Sequence, residues 1–168
     1  MIYVIIGIGV IILGIIIYTI VSPIKNRSTY ETNLKTQLDK LGNYELEKPK
    51  NVPYDYLVKI NNKEFLIKTI SVPNHAEVQV NSKTTWEIKY GAGDVPGKAQ
   101  PFKKYLSNIS QFMHYKNNDN QVKVVVVIPK AKKLVMYINE CEIVFITPQT
   151  NVHGTRVINC DDYSIFLK

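Results

Sequence analysis

The sequence predicts an α/β domain carried behind a single N-terminal transmembrane helix. Three observations predict it. Residues 1–22 of the 168 hold no charged side chain and are mostly Ile, Val, Leu, Gly and Tyr, and about 20 such residues span the hydrocarbon core of a bilayer. Residues 54–70 and 76–90 each read as two short strands about a polar turn, Asn61-Asn62-Lys63 in the first and Asn81-Ser82-Lys83 in the second. Residues 122–128 form a nearly unbroken apolar run, the pattern of a strand covered on both faces.

The anchor comes first. Tyr3 and Tyr18 lie near the two ends of the apolar run, where amphipathic rings prefer the interface. Gly7, Gly9 and Gly14 lack the GxxxG spacing of a dimerising helix face. No basic residue precedes the run and no small-residue cleavage site ends it, so the expectation is an uncleaved span and not a signal peptide. Lys25, Arg27 and Lys35 follow it. The positive-inside rule then puts a single-pass protein in the cell membrane with its domain facing the cytoplasm. Residues 23–29 are expected as a juxtamembrane linker and 30–168 as the domain.

Within the domain, 28–42 predicts a helix. Ser28 and Glu31 have capping-box spacing, Leu34, Leu38 and Leu41 share a face, and Gly42 is placed to end it. Pro49 and Pro53 make 44–53 an irregular connection. The two hairpins follow. Gly91, Gly93 and Gly97 then mark a loop whose spacing is one residue too long for GxGxxG and which has no GK[ST], so no nucleotide cradle is expected. Residues 101–115 predict a helix: Pro101 suits its first turn, and Phe102, Tyr105, Leu106, Ile109, Phe112 and Met113 recur at helical spacing. The strand over 122–128 and further strands over 134–138 and 142–147 follow.

Asp55 heads the first strand of the first hairpin. Lys68 follows thirteen positions later, then Thr69 and Ile70. In this frame the chain resembles the nuclease-related domain (NERD) family, in which Asp is followed at that spacing by Glu, any residue and Lys. Glu31 with Leu34, Leu38 and Leu41 matches the family's opening helix, although Glu31 also reads simply as a capping residue. Trp86 matches a frequent family tryptophan, and 161–167, with Asp161 as its cap, looks like the family's short terminal helix. The family's Asn-Pro helix start, with a Gln three residues after the Pro, stands here as Gln100, Pro101 and Lys104. The resemblance runs from about Glu31 to Leu167. It implies a restriction-endonuclease-like mixed sheet flanked by helices, with a vestigial site at Asp55, Lys68, Ile70 and Lys104.

The resemblance also implies that catalysis is lost. Phosphodiester cleavage through a hard cation needs converging carboxylates. Here a cation stands where the second acid belongs, Ile70 offers no polar group, and Lys104 replaces a neutral amide. Asp55 and Lys68 are expected side by side as an ion pair. The alternative catalytic pair is Glu87 and Lys89, which have E-x-K spacing on a strand. His75, His114 and His153 are isolated, and Cys141 and Cys160 are far apart and expected reduced. No metal site, cofactor or small-molecule substrate is expected.

The formal charge of +7 lies entirely after the apolar run, which suits nucleic acid or an anionic membrane face. Lys103, Lys104, Lys130, Lys132 and Lys133 are the candidate nucleic-acid contacts. Three functions are open at this point. One is a membrane-anchored NERD-like module, without nuclease activity, that binds nucleic acid or a protein partner. The second is an active metal-dependent nuclease using Glu87 and Lys89, and the third is a structural subunit of a membrane complex.

Overall fold

In the computed structural model, the backbone is described for residues 2–139 and 141–167, and side chains for 13–17, 21–22, 24–139 and 141–166. The first element, α1, is one continuous helix over Ile2–Asp39. The expected linker, 23–29, is therefore helical, and Ser28 is not a cap. Glu31 lies inside the helix, where it pairs with Lys35 at 3.2 Å and with Lys48 from the segment after the next strand. Among the described residues no helix is long and apolar enough to cross a membrane. The expected span over 1–22 falls largely on side chains outside the described ones. Gly42, at φ +101°, turns the chain away after the helix, a conformation that glycine adopts at no steric cost.

Ten strands follow. In chain order they are β1 (Tyr44–Glu47), β2 (Tyr56–Ile60), β3 (Lys63–Ser71), β4 (Glu77–Val80), β5 (Trp86–Tyr90), β6 (Phe102–Tyr105), β7 (Gln121–Ile128), β8 (Lys133–Asn139), β9 (Glu142–Phe145) and β10 (Arg156–Asn159). A six-residue helix α2 (Ile109–His114) precedes β7, and a 3-10 turn over Ser164–Leu167 closes the chain. Both expected hairpins form. Asn61 and Asn62, both at positive φ, make the two-residue turn between β2 and β3, as the twist of paired strands requires.

The chain is α/β, but its strands make two mixed sheets and not one. The first has the order β1-β2-β3-β7-β10 and the second β6-β5-β4-β8-β9. β3 and β7 run parallel in the first sheet, and their continuations β4 and β8 run parallel in the second. The two strands thus cross from sheet to sheet side by side. Val72 N–H donates to the Ile128 carbonyl and Lys132 N–H to the Ala76 carbonyl on the way.

Alternation along β3 explains the layering. Phe65 and Ile67 face one side, packing with Tyr30, Leu34 and Leu38 of α1 and with Phe166. Leu66 and Ile70 face the other, packing with Val78, Val80, Trp86 and Ile88 of the second sheet and with Ile109, Phe112 and Met113 of α2. The first sheet is thus buried on both faces, which is why 122–128 in β7 reads as a nearly unbroken apolar run.

Three expectations fail here. The helix over 101–115 is instead an exposed edge strand, β6, followed by the short α2. Phe102 and Tyr105 lie in β6, while Ile109, Phe112 and Met113 bury from α2. A strand and a helix joined by a short loop left apolar residues at spacings that mimic one long helix. Residues 44–47 are a strand, with Tyr44 and Leu46 half-buried and Glu45 and Glu47 exposed. The closing turn is capped by Asp162, whose carboxylate accepts from Ser164 N–H at 3.0 Å and its hydroxyl at 2.7 Å. Asp161 instead pairs with Lys130.

Candidate functional site

Asp55 precedes β2 and stays tied to the hairpin, because its N–H donates to the Ile67 carbonyl at 2.7 Å. Its side chain meets the far end of β3. One carboxylate oxygen accepts from both the N–H and the hydroxyl of Thr69, each at 2.7 Å. The other lies 3.4 Å from the Lys68 ammonium. The pair is partly buried, with side-chain exposures of 15% for Lys68 and 24% for Asp55. Thr69 is fully enclosed, and its carbonyl accepts from the Arg27 guanidinium of α1 at 3.5 Å. Ile70 is buried in the core between the sheets.

These surroundings do not fit a hard cation, which takes six or more oxygen ligands. One carboxylate is present, and the groups converging on it are donors: an ammonium, an N–H and a hydroxyl. Among the described residues no three His, Cys, Asp or Glu side chains converge on a common point. The charge of Asp55 is met by protein groups already in place.

The other positions implied by the family frame are not brought to this place. Lys104 lies on β6, at the edge of the second sheet, with its ammonium 5.9 Å from the centre of the Tyr90 ring. Gln100 pins the glycine loop instead, accepting from Ala92 N–H at 2.8 Å and donating to the His75 carbonyl at 3.3 Å. Glu87 and Lys89 lie two residues apart on β5, so they share the face of the second sheet turned away from Trp86 and Ile88. In register, Glu87 lies between Gln79 and Tyr105, and Lys89 between Glu77 and Lys103. Neither register partner of Glu87 is a carboxylate.

The five candidate nucleic-acid lysines divide into two groups. Lys130, Lys132 and Lys133 each pair with an acid, Asp161 at 2.8 Å, Asp94 at 3.5 Å and Glu77 at 3.4 Å. Lys103 and Lys104 make no ion pair among the described residues and stand exposed on β6.

The interior also holds a charged residue that the apolar pattern hides. Lys123, the second residue of the apolar run, is buried. Its ammonium donates to the carbonyls of Phe112 at 3.3 Å, Met113 at 2.9 Å and Tyr115 at 3.2 Å. These include the terminal carbonyls of α2, which carry the negative end of the helix dipole. Desolvation, with a smaller contribution from Lys83, pulls its pKa below the ordinary lysine value. The signal was a lone cation among the Val and Ile of residues 122–128. Cys141 is exposed and Cys160 half-buried, both as thiols. Burial, then the charge of Asp161, pushes the Cys160 thiol up.

The chain matches no family model, no curated protein and no solved structure.

Proposed function

We propose that this chain is a membrane-anchored, NERD-like module that binds a macromolecular partner and does not cleave it. The observation that carries this reading is the saturated carboxylate of Asp55. Both its oxygens are engaged by Thr69 and Lys68. In a nuclease of the family it resembles, the corresponding carboxylate is held open for a metal ion. A carboxylate already neutralised by an ammonium has little attraction left for a second cation.

The anchor is residues 1–22, with the domain on the cytoplasmic side. The apolar run and the cations that follow it, Lys25 and Arg27, support this placement.

Two experiments test the reading. Purified full-length protein is incubated with single- and double-stranded DNA and RNA in Mg²⁺ or Mn²⁺. No cleavage is expected, and cleavage abolished by Asp55→Ala or Glu87→Gln would overturn the reading. For orientation, an impermeant thiol reagent is applied to intact cells. The exposed Cys141 is expected to be labelled only after lysis, and labelling before lysis would reverse the topology.

A further inference from the structure

Three loops, 72–76, 91–101 and 129–132, meet at the end of the domain where β3 and β7 cross between the sheets. Lys132 ties them together. Its N–H donates to the Ala76 carbonyl at 2.7 Å. Its ammonium donates to the Val95 carbonyl at 3.3 Å and pairs with Asp94 at 3.5 Å. Gln100 joins the second loop to the His75 carbonyl of the first. Val95 and Pro96 are thereby held at an exposed tip, Val95 at 49%.

The same end lies against the N-terminal part of α1, where Asn74 lines a cleft with Gly14, Val21, Ser22, Lys25 and Asn26. Ser22, the end of the proposed span, and Lys25 are about 4.5 Å apart along the helix axis. The headgroup region on one side of a bilayer is roughly 5–7 Å thick. The loops at this end therefore stand at headgroup depth.

The charges here favour an anionic surface. Five cations, Lys25, Arg27, Lys98, Lys130 and Lys132, stand with three acids, Asp94, Asp161 and Asp162. Every acid is engaged: Asp94 by Lys132, Asp161 by Lys130 and Asp162 by Ser164. Glu77 and Lys133, at the starts of β4 and β8, pair with each other. Lys25 and Lys98 are exposed and make no ion pair among the described residues. A small apolar tip beside unpaired cations is ordinary protein surface in open water. Next to the end of a span it meets lipid headgroups, where each lysine gains from anionic phosphates. A protein partner would have to enter between the domain and the bilayer to reach it.

We infer that this end of the domain docks on an anionic phospholipid surface, with Val95 and Pro96 in the headgroup layer and Lys25 and Lys98 beside lipid phosphates. The inference rests on the proposed anchor at residues 1–22, which fixes the side from which the bilayer approaches.

The test uses full-length protein with Cys141→Ser and Cys160→Ser, in nanodiscs of phosphatidylcholine alone or mixed with phosphatidylglycerol. A thiol-reactive dye is attached at Val95→Cys or, as a control, at Asp119→Cys in the exposed turn before β7, at the opposite end of the first sheet. Nitroxide on lipid chains, close to the headgroup, is expected to quench the first dye and not the second. Phosphatidylglycerol strengthens that quenching. Lys98→Gln lowers the ratio of docked to undocked protein about fivefold, as loss of one cation beside an anionic surface implies. Hydrogen exchange of the unsubstituted chain keeps the test decisive if the cysteine variants do not fold. Amides of 93–98 should then exchange more slowly with phosphatidylglycerol present, and those of 116–120 should not change. Equal quenching at both sites, or quenching indifferent to phosphatidylglycerol and to Lys98→Gln, overturns the inference. Alkaline carbonate extraction separates the two proposals. Protein that stays in the membrane with the Val95→Cys dye unquenched sinks this inference and spares the anchor. Protein that is extracted, yet has that dye quenched on phosphatidylglycerol vesicles, does the reverse.

Discussion

The Asp55 carboxylate receives both the N–H and the hydroxyl of Thr69, each at 2.7 Å. A single acid thereby closes the end of the β2–β3 hairpin against a residue that is itself wholly enclosed. Asp55→Ala should destabilise the protein by about 2–3 kcal/mol, since it strands the Lys68 charge and the Thr69 donors together. Thr69→Val removes one donor and keeps the N–H bond, so about 1 kcal/mol is expected. Urea unfolding of the two variants checks the order, and equal losses would contradict it.

Lys68→Glu sets two carboxylates side by side where an ion pair stood. Stability should fall, and millimolar Mg²⁺ should restore part of it by bridging the two acids. Melting curves with and without Mg²⁺ decide this. An unchanged midpoint on adding Mg²⁺ would show that the geometry of the pair does not admit a cation.

Lys123→Met keeps the length of the buried stem but withdraws three hydrogen bonds from the end of α2. A loss of about 1–3 kcal/mol is expected from orphaned carbonyls, with the damage centred on Ile109–His114. Hydrogen exchange should show the amides of α2 and Tyr115 opening while those of β3 stay protected. Uniform loss of protection would place the role of Lys123 elsewhere.

Alkaline pH should loosen the seam between α1 and the first sheet. Burial, followed by the charges of Cys160 and Asp161, pushes the Tyr163 phenol up to about 12. Burial, followed by Tyr163 and Tyr56, raises Tyr30 further still. The fold favours the protonated phenols, while in the unfolded chain they titrate near 10. The stability they contribute is therefore complete below pH about 10 and is lost as pH rises beyond it. The melting temperature should fall from that point upward. Tyr30→Phe should be neutral or stabilising at neutral pH, because the Tyr30 hydroxyl has no hydrogen-bond partner among the described residues, and it should flatten the alkaline decline.

Much of this architecture was legible where local signals agreed. Asn61-Asn62 between two apolar runs specified a turn, and the Val-rich run specified β7. The Asp55–Lys68 pairing was expected from the family resemblance alone; the two-residue turn at Asn61-Asn62 is what sets the two opposite each other. The part played by Thr69 was not, because a backbone N–H meeting a carboxylate leaves no mark on residue type. β6 was lost because Phe102 and Tyr105 are three apart, a spacing that suits a helical stripe as well as an exposed strand. β10 is four residues long, and pairing with β7 supplies what its own pattern lacks. The division into two sheets depends on where β3 and β7 bend together, which no single stretch of sequence announces.

The unbroken course of α1 has a mechanical consequence. Its 38 residues form a rod about 57 Å long, and Tyr30, where its buried contacts with the sheet begin, belongs to the same rod. With the proposed span ending at Ser22, Tyr30 stands about 12 Å farther along the axis. The domain is then held at a fixed stand-off with no swivel between them. Tilt or rotation of the span turns both sheets as a lever turns its load.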